Sequence, residues 1–310
     1  MSTLSPETKT SKTGLKRKIN TSYFFVAPYL IFFFLFVVLL VFISIGISFT
    51  HYDTINPPRF VGMRNYINLL TEDTDFVQYA LVNTIIFAVI VGPGGYLLAF
   101  FLAWLLAQIP HKIRTVFAII IYSPALTSGV LMTVVWRVIF AGDNRGYLNN
   151  FLLNQGFINV AINWLQDPKM IRFIMIFVGL WSSMGIGFLA MLSGILNINK
   201  EMYEAAYIDG MKNRWQEIFY ITIPSMKPQM LFGAVMAIVS TFNASGLASA
   251  LTRSSPPPQF AGWLIVDHMN DFAFGRYEMG YASALAVVLL MIVFLFSRIA
   301  NRLFGGKRDE

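Results

Sequence analysis

The chain has 310 residues, 56% of them hydrophobic, 15% aromatic and only 13% charged, against roughly 25% charged in a soluble domain. That balance excludes a water-soluble enzyme, and the 29 Phe, 13 Tyr and 15 Met exclude a disordered chain, which is poor in such residues. With no cysteine, disulfides, thiolate catalysis and Cys-ligated metals are excluded, and the net charge of +7 reads as a record of which loops face the cytoplasm rather than as a nucleic-acid footprint.

In chain order, residues 1–22 are polar and carry Lys9, Lys12, Lys16, Arg17 and Lys18, which predicts a basic cytoplasmic tail. Residues 23–303 read as one transmembrane domain, and 304–310 as a short cytoplasmic tail. The apolar run 23–49 is longer than the roughly 7–15 residues of a signal-peptide core, so it is a retained first span. A second span, 79–106, contains Gly92-Pro93-Gly94-Gly95, which reads either as a point where the helix kinks or unwinds or, equally, as a packing glycine cluster. Further spans are expected at 116–140, 171–196, 230–251 and 279–303, giving an all-α membrane protein with six transmembrane helices. If the amino terminus is inside, fifteen of the 23 Lys and Arg fall in inner segments, which places both termini in the cytoplasm.

The same scan narrows the chemistry. His51, His111 and His268 lie at span ends or in loops, far apart in sequence, and read as exposed loop histidines; no HExxH, GxSxG or metal-spaced cluster occurs. An ion-coupled carrier usually keeps ionisable residues at mid-membrane, yet no Asp, Glu or Lys has a central position in any span, and Arg137, Arg172 and Arg298 sit near span ends. A phosphate loop is absent, so the chain cannot hydrolyse ATP alone.

The loop 197–228 holds the most informative pattern. Asn199 suits a helix cap, Glu201 and Glu204 favour a helix amino terminus, and Gly210 suits a left-handed stop. Glu204, Ala205 and Ala206 present one acid and two methyl groups, a surface on which another protein can pack closely. Asn213 and Gln216 repeat the capping pattern for a second short helix, and Pro224 closes the loop.

These residues resemble the signature of the membrane permease subunits of bacterial binding-protein-dependent ABC importers: Glu-Ala-Ala, three residues, Gly, nine residues, Ile, one residue, Leu-Pro. Glu204-Ala205-Ala206, Gly210 and Ile221-Thr222-Ile223-Pro224 stand in that order, with ten residues instead of nine after Gly210 and Ile223 in place of leucine. The resemblance implies a type I importer permease fold and a coupling helix that docks on an ATPase subunit, with Glu204, Ala205, Ala206, Asp209 and Gly210 as the contact. Asp209 before the glycine is similar to the carbohydrate branch, as are the segment 60–66 (Phe60, Val61, Gly62, Asn65, Tyr66), Asn83-Thr84, and Trp136 with Phe140, Gly146, Leu148 and Asn149.

The resemblance further implies half of a pore that pairs with a second permease subunit, expected to be a different chain. Two ATPase subunits bind ATP and Mg, an extracytoplasmic sugar-binding protein delivers cargo, and this chain itself holds no cofactor. Aromatic faces and neutral hydroxyls bind sugars, so Tyr122, Ser123, Trp136, Trp181, Ser182, Ser183, Ser240, Thr241, Asn243 and Ser245 are the candidate pathway residues. At this stage an ion-coupled secondary transporter of a small polar solute, or a scaffold without transport, stands as the alternative.

Overall fold

The computed structural model describes residues 21–127 and 129–304; the expected tail residues 1–20 and 305–310 lie outside the described residues. The chain divides into two compact units, 1–44 and 45–310. The described residues of the first belong to helix α1, which begins as Thr21–Phe33, passes through a π-turn at Phe34–Val38 and continues in Leu39–Ile47, its last three residues already in the second unit. From Phe25 to Ser44 none of its side chains is buried. A helix that is apolar on every side suits lipid rather than water.

The second unit opens with a two-residue hairpin, β1 (Thr50–His51) antiparallel to β2 (Arg59–Phe60), and a short helix α2 (Arg64–Thr71). Gly62 takes the left-handed turn between them at φ +62°. The Asn65 amide donates to the Ser48 and Thr50 carbonyls at 2.8 and 2.9 Å, and the Tyr66 hydroxyl meets Ser48 Oγ at 2.7 Å, so the 60–66 segment is an anchor for the hairpin. Next come α3 (76–107, its first turn a π-turn), α4 (His111–Leu126), α5 (Gly129–Ile139), α6 (Tyr147–Asn154), α7 (Pro168–Ser182) and α8 (Ile186–Leu196). The chain continues through α9 (Lys200–Ile208), α10 (214–225), α11 (Lys227–Phe242), α12 (Leu247–Thr252), α13 (Ile265–Asn270) and α14 (Met279–Phe304).

Among the described residues, three helices are long and apolar enough to cross a membrane, Phe25–Ile47, Phe76–Ala107 and Met279–Arg302, and the count reaches five if the bent pairs α4–α5 and α7–α8 are each one span. The pair α7–α8 bends by 41°. Asp167 starts α7 by accepting the Lys169 and Met170 amides at 2.8 and 3.2 Å, ahead of Pro168 in the first turn. The fifth expected span departs from a single rod: α11 has 16 residues, about 24 Å at 1.5 Å per residue, below the roughly 30 Å of a hydrocarbon core. Asn243–Gly246 then breaks it before α12. Gly246 turns left-handed there at φ +71°, and its amide donates to the buried Asp267 carboxylate.

The bundle centres on α3, α8 and α11, which pack mutually. Small residues make this possible. A Cβ added to Gly187 would lie 3.4 Å from the Gly233 Cα, and one on Gly95 would overlap the Ser183 side chain, so backbones approach closely where side chains are missing. Of the two readings at 92–95, the packing cluster holds and unwinding does not: α3 is helical through Gly92-Pro93-Gly94-Gly95. The glycines there serve packing against Ser183, Leu180 and Thr241.

The amino end of α3 is tied to the segment 260–281 by buried polar bonds. The Asn83 amide donates to the Phe260 and Trp263 carbonyls, and Thr84 Oγ1 accepts the Ile265 amide at 2.9 Å. His268, expected as an exposed loop histidine, is instead 2% exposed, because Phe76, Phe272 and Trp263 enclose it. Trp263 Nε1 donates to His268 Nδ1 (3.3 Å), which fixes the imidazole proton on Nε2, where it is given to Asp73 at 2.8 Å. Tyr281 also donates to Asp73, at 2.7 Å. Burial pushes the Asp73 carboxyl up, but the bonds from His268, Tyr281 and the Phe76 amide outweigh it and hold it below 3.8. Burial pushes Asp267 above the same value despite its two amide donors.

Two predictions follow from this packing. Gly95→Val is expected to cost about 1–3 kcal/mol as an overpacked contact, read as a lower melting temperature in detergent. Gly92→Ala, whose Cβ would sit 3.6 Å from Thr241 Oγ1, is expected to leave that temperature unchanged. Asp73→Ala strands His268 and Tyr281 and is expected to cost about 1–3 kcal/mol. Since the folded Asp73 value is depressed, its contribution is complete above pH 3.8 and is lost as the pH falls through the folded value; unfolding curves of wild type and Asp73→Ala are therefore expected to converge on acidification.

Candidate functional site

The α8–α11 connection forms a self-supporting platform. Asn199 caps α9 by accepting the Glu201 amide at 3.1 Å. At the other end Gly210 sits at φ +94°, its amide bonding the Tyr207 carbonyl at 3.2 Å while the Met211 amide bonds Ala206 at 3.0 Å. This is the paired-bond glycine stop that only a residue tolerant of positive φ allows. The ten residues after Gly210 are taken up by a turn, the α-turn Arg214–Glu217 and the first part of a π-turn, Ile218–Thr222. Helix continues through Pro224 to Ser225, so this proline sits inside α10 rather than closing the loop. Asn213 accepts the Gln216 amide at 2.9 Å, and Gln216 reaches one residue further back, to the Lys212 amide.

One face of α9 is fixed and the other is presented outward. Tyr203 meets Thr222 Oγ1 at 3.2 Å, and Tyr207 donates to Glu217 at 3.2 Å. Glu217, 8% exposed, also takes Arg214 Nη1 at 2.8 Å. These two tyrosines, one helical turn apart, and the buried carboxylate were not singled out from the sequence; the i, i+4 spacing that puts Tyr203 and Tyr207 on one face of α9 is the available signal, although Tyr207 itself stays 47% exposed. Glu204, Ala205, Asp209 and Gly210 are exposed and Ala206 is half-buried. Around them stand the uncovered apolar side chains Met202, Ile208 and Trp215.

Away from this platform, two adjoining hollows of about 360 and 320 Å³ lie where α3, α7, α8 and α11 meet the end of α4. Ser182, Ser183, Ser240 and Thr241 line both; Tyr122 lines the first and Ser245 the second. Ser183, Ser240 and Thr241 donate to carbonyls of their own helices, at 2.6, 3.0 and 2.8 Å, which leaves their oxygens to act as acceptors. The other candidates sit elsewhere. Trp136 and Trp181 meet edge to face at 5.2 Å in a cluster with Phe140 and Phe177. Ser123 bonds the Ile120 carbonyl, and Asn243 bonds Val239 at the break in α11. Asn149 is fully buried, donating to Ala141, Asp143 and Ile162 and accepting Trp164 Nε1, so this part of the resemblance marks a loop anchor. Among the described residues no group of three His, Asp or Glu could hold a metal ion.

The site thus consists of apolar helices around two adjoining hydroxyl-lined hollows, with an exposed helix braced at one end. The chain matches the family described as binding-protein-dependent transport system inner membrane component over residues 95–306, and it belongs to that family. The probable ABC transporter permease protein YesP of Bacillus subtilis is 32% identical over 285 residues, 91% of this chain and 90% of that one. The arabinooligosaccharides transport system permease protein AraP of the same organism is 31% identical over 294 residues, 93% of this chain and 90% of that one. Among solved structures, a bacterial alginate ABC transporter in complex with alginate pentasaccharide-bound periplasmic protein has a chain that superposes with TM-score 0.72 at 20% identity, covering 91% of this chain and 93% of its own; at that identity the likeness is one of fold.

Glu217→Ala is expected to release α9: amide exchange across 200–210 in the purified protein should accelerate by about five- to tenfold, the equivalent of a lost buried hydrogen-bond pair. Lys212→Ala, an exposed side chain, should leave exchange unchanged.

Proposed function

We propose that this chain is one half of the pore of a sugar or oligosaccharide importer in the cytoplasmic membrane, driven by ATP hydrolysis on separate ATPase subunits that dock on α9. The observation that carries the reading is the braced α9: a family-type Glu204-Ala205-Ala206 face and Gly210 stop, held outward among exposed Met202, Ile208 and Trp215. Clustered apolar side chains on a polar loop favour a protein partner. The cargo class is supported by the relative named for arabinooligosaccharides and by the neutral hydroxyls of the two hollows.

In this reading the chain spans the membrane six times, α11 with α12 serving as the fifth crossing, and both termini and α9 face the cytoplasm. A second permease subunit completes the pore, and an extracytoplasmic binding protein delivers the sugar. ATP and Mg belong to the ATPase subunits; this chain contributes the mechanical link. Closure of those subunits displaces α9. Because α9 starts four residues after α8 ends and is bonded through Tyr203 and Tyr207 to the run leading into α11, the displacement reaches the two helices that flank the hollow. Access then alternates between the two sides of the membrane.

The test is reconstitution with the ATPase and binding protein, beginning with arabinooligosaccharides. Hydrolysis is expected to rise on adding loaded binding protein, and uptake to survive an ionophore; uptake that needs no ATPase and collapses with the ionophore would return the chain to the ion-coupled class. Ala205→Arg is expected to weaken ATPase association at least about tenfold, a change of roughly 1.4 kcal/mol. Ser240→Trp, at an exposed position lining both hollows, should abolish uptake while ATPase subunits still co-purify.

A further inference from the structure

We infer that the cleft between α9 and the bundle binds an anionic phospholipid of the inner leaflet, its phosphate among Arg114, Lys200 and Arg214 and an acyl chain along the groove between α4 and α8. This rests on the topology proposed above, which puts α9 on the cytoplasmic side. Beneath α9 lies a cavity of about 480 Å³ whose walls include Trp104, Arg114, Lys200, Tyr203, Tyr207 and Arg214. Three cations face it against one carboxylate, Glu217, which is already engaged by Arg214 and Tyr207. Lys200 has no ion pair among the described residues. Arg114 spends Nε and Nη2 on the Leu106, Ala107 and Ile109 carbonyls at the end of α3, which fixes its guanidinium at the cavity wall with Nη1 uncommitted. Trp104 Nε1 is buried with no hydrogen-bond acceptor among the described residues, a donor that a phosphate or glycerol oxygen would satisfy.

A soluble anion would need only this polar pocket. The cavity is continued by a second one of about 380 Å³ that shares Arg114 and Leu196 and runs between α4 and α8 past Ala118, Ile119, Leu189 and Leu192. A cationic pocket opening into an apolar groove matches a molecule with an anionic head and a hydrocarbon tail. Basic pockets between membrane helices on the cytoplasmic side bind such headgroups. Seated there, the lipid lies between α9 and the helices it moves.

The test uses the assembled transporter in nanodiscs of mixed phosphatidylglycerol and phosphatidylcholine, followed by native mass spectrometry of the lipids retained. Wild type is expected to enrich phosphatidylglycerol, and Lys200→Gln to lower that enrichment about fivefold, the effect of one basic group near a membrane surface. Ala118→Trp, which fills the groove without altering charge, is expected to lower retention of both lipids, and inorganic phosphate to displace neither. No enrichment in wild type, enrichment unchanged in both variants, or displacement by inorganic phosphate would overturn the proposal, the last by assigning the pocket to a soluble anion. Loss of permease pairing in Ala118→Trp with phosphatidylglycerol retention unchanged would also overturn it, by giving the groove to the second permease chain. Enrichment that persists when ATPase subunits fail to co-purify supports the lipid site while refuting α9 as the docking helix.

Discussion

The buried Glu217 carboxylate is the constraint on which the rest depends. A carboxylate removed from water is tolerated only when its charge and lone pairs are met, and here Arg214 and Tyr207 meet them from two different elements. Satisfying that one group therefore fixes α9 against α10. The Tyr203 to Thr222 bond adds a second point of attachment, and the Thr222 hydroxyl lies 3.2 Å from the Glu217 carbonyl. Two attachment points hold α9 in place, which is the rigidity that the proposed coupling to an ATPase subunit requires.

The packing of the helices that adjoin α9 is set by the absence of side-chain bulk. The α8 and α11 backbones meet at Gly187 and Gly233, and α3 admits the Ser183 side chain at Gly95. Membrane interiors supply no hydrophobic drive between helices, so such close packing is a main source of their cohesion. The same small residues leave room for the hollows, since a Cβ at Gly95 would occupy the place of Ser183. Tight contact and open volume thus come from one choice of residue type. At the opposite end, the Asp73, His268, Trp263 and Tyr281 network holds the segment 260–281 on α3, and Asp267 holds the break in α11 through the Gly246 amide.

The sequence made the apolar spans and the α9 signature readable because each is local: a run of side chains, a cap at Asn199, a glycine stop at Gly210. It hid what depends on distance along the chain. Asp73 and His268 meet across 195 residues, and nothing near either one announces the partner, so His268 read as a loop residue. The glycines at 92–95 were ambiguous for a related reason. A glycine cluster in a helix marks either a bend or a close neighbour, and only the positions of Ser183 and Leu180 decide between them. Among pathway candidates, residue type alone pointed equally to Trp136 and to Ser240; Trp136 and Trp181 lie together in an aromatic cluster, whereas Ser182, Ser183, Ser240 and Thr241 share one pair of hollows.

In the proposed coupling, α9 transmits force because Glu217 holds it rigid. It is tested most directly by ATP hydrolysis of the reconstituted complex, as the ratio of the rate with sugar-loaded binding protein to the rate without it, in wild type and Glu217→Ala. The ratio is expected to fall close to one in the variant although the ATPase subunits remain bound. A ratio equal to that of wild type, in a variant whose α9 amides exchange faster, would contradict it.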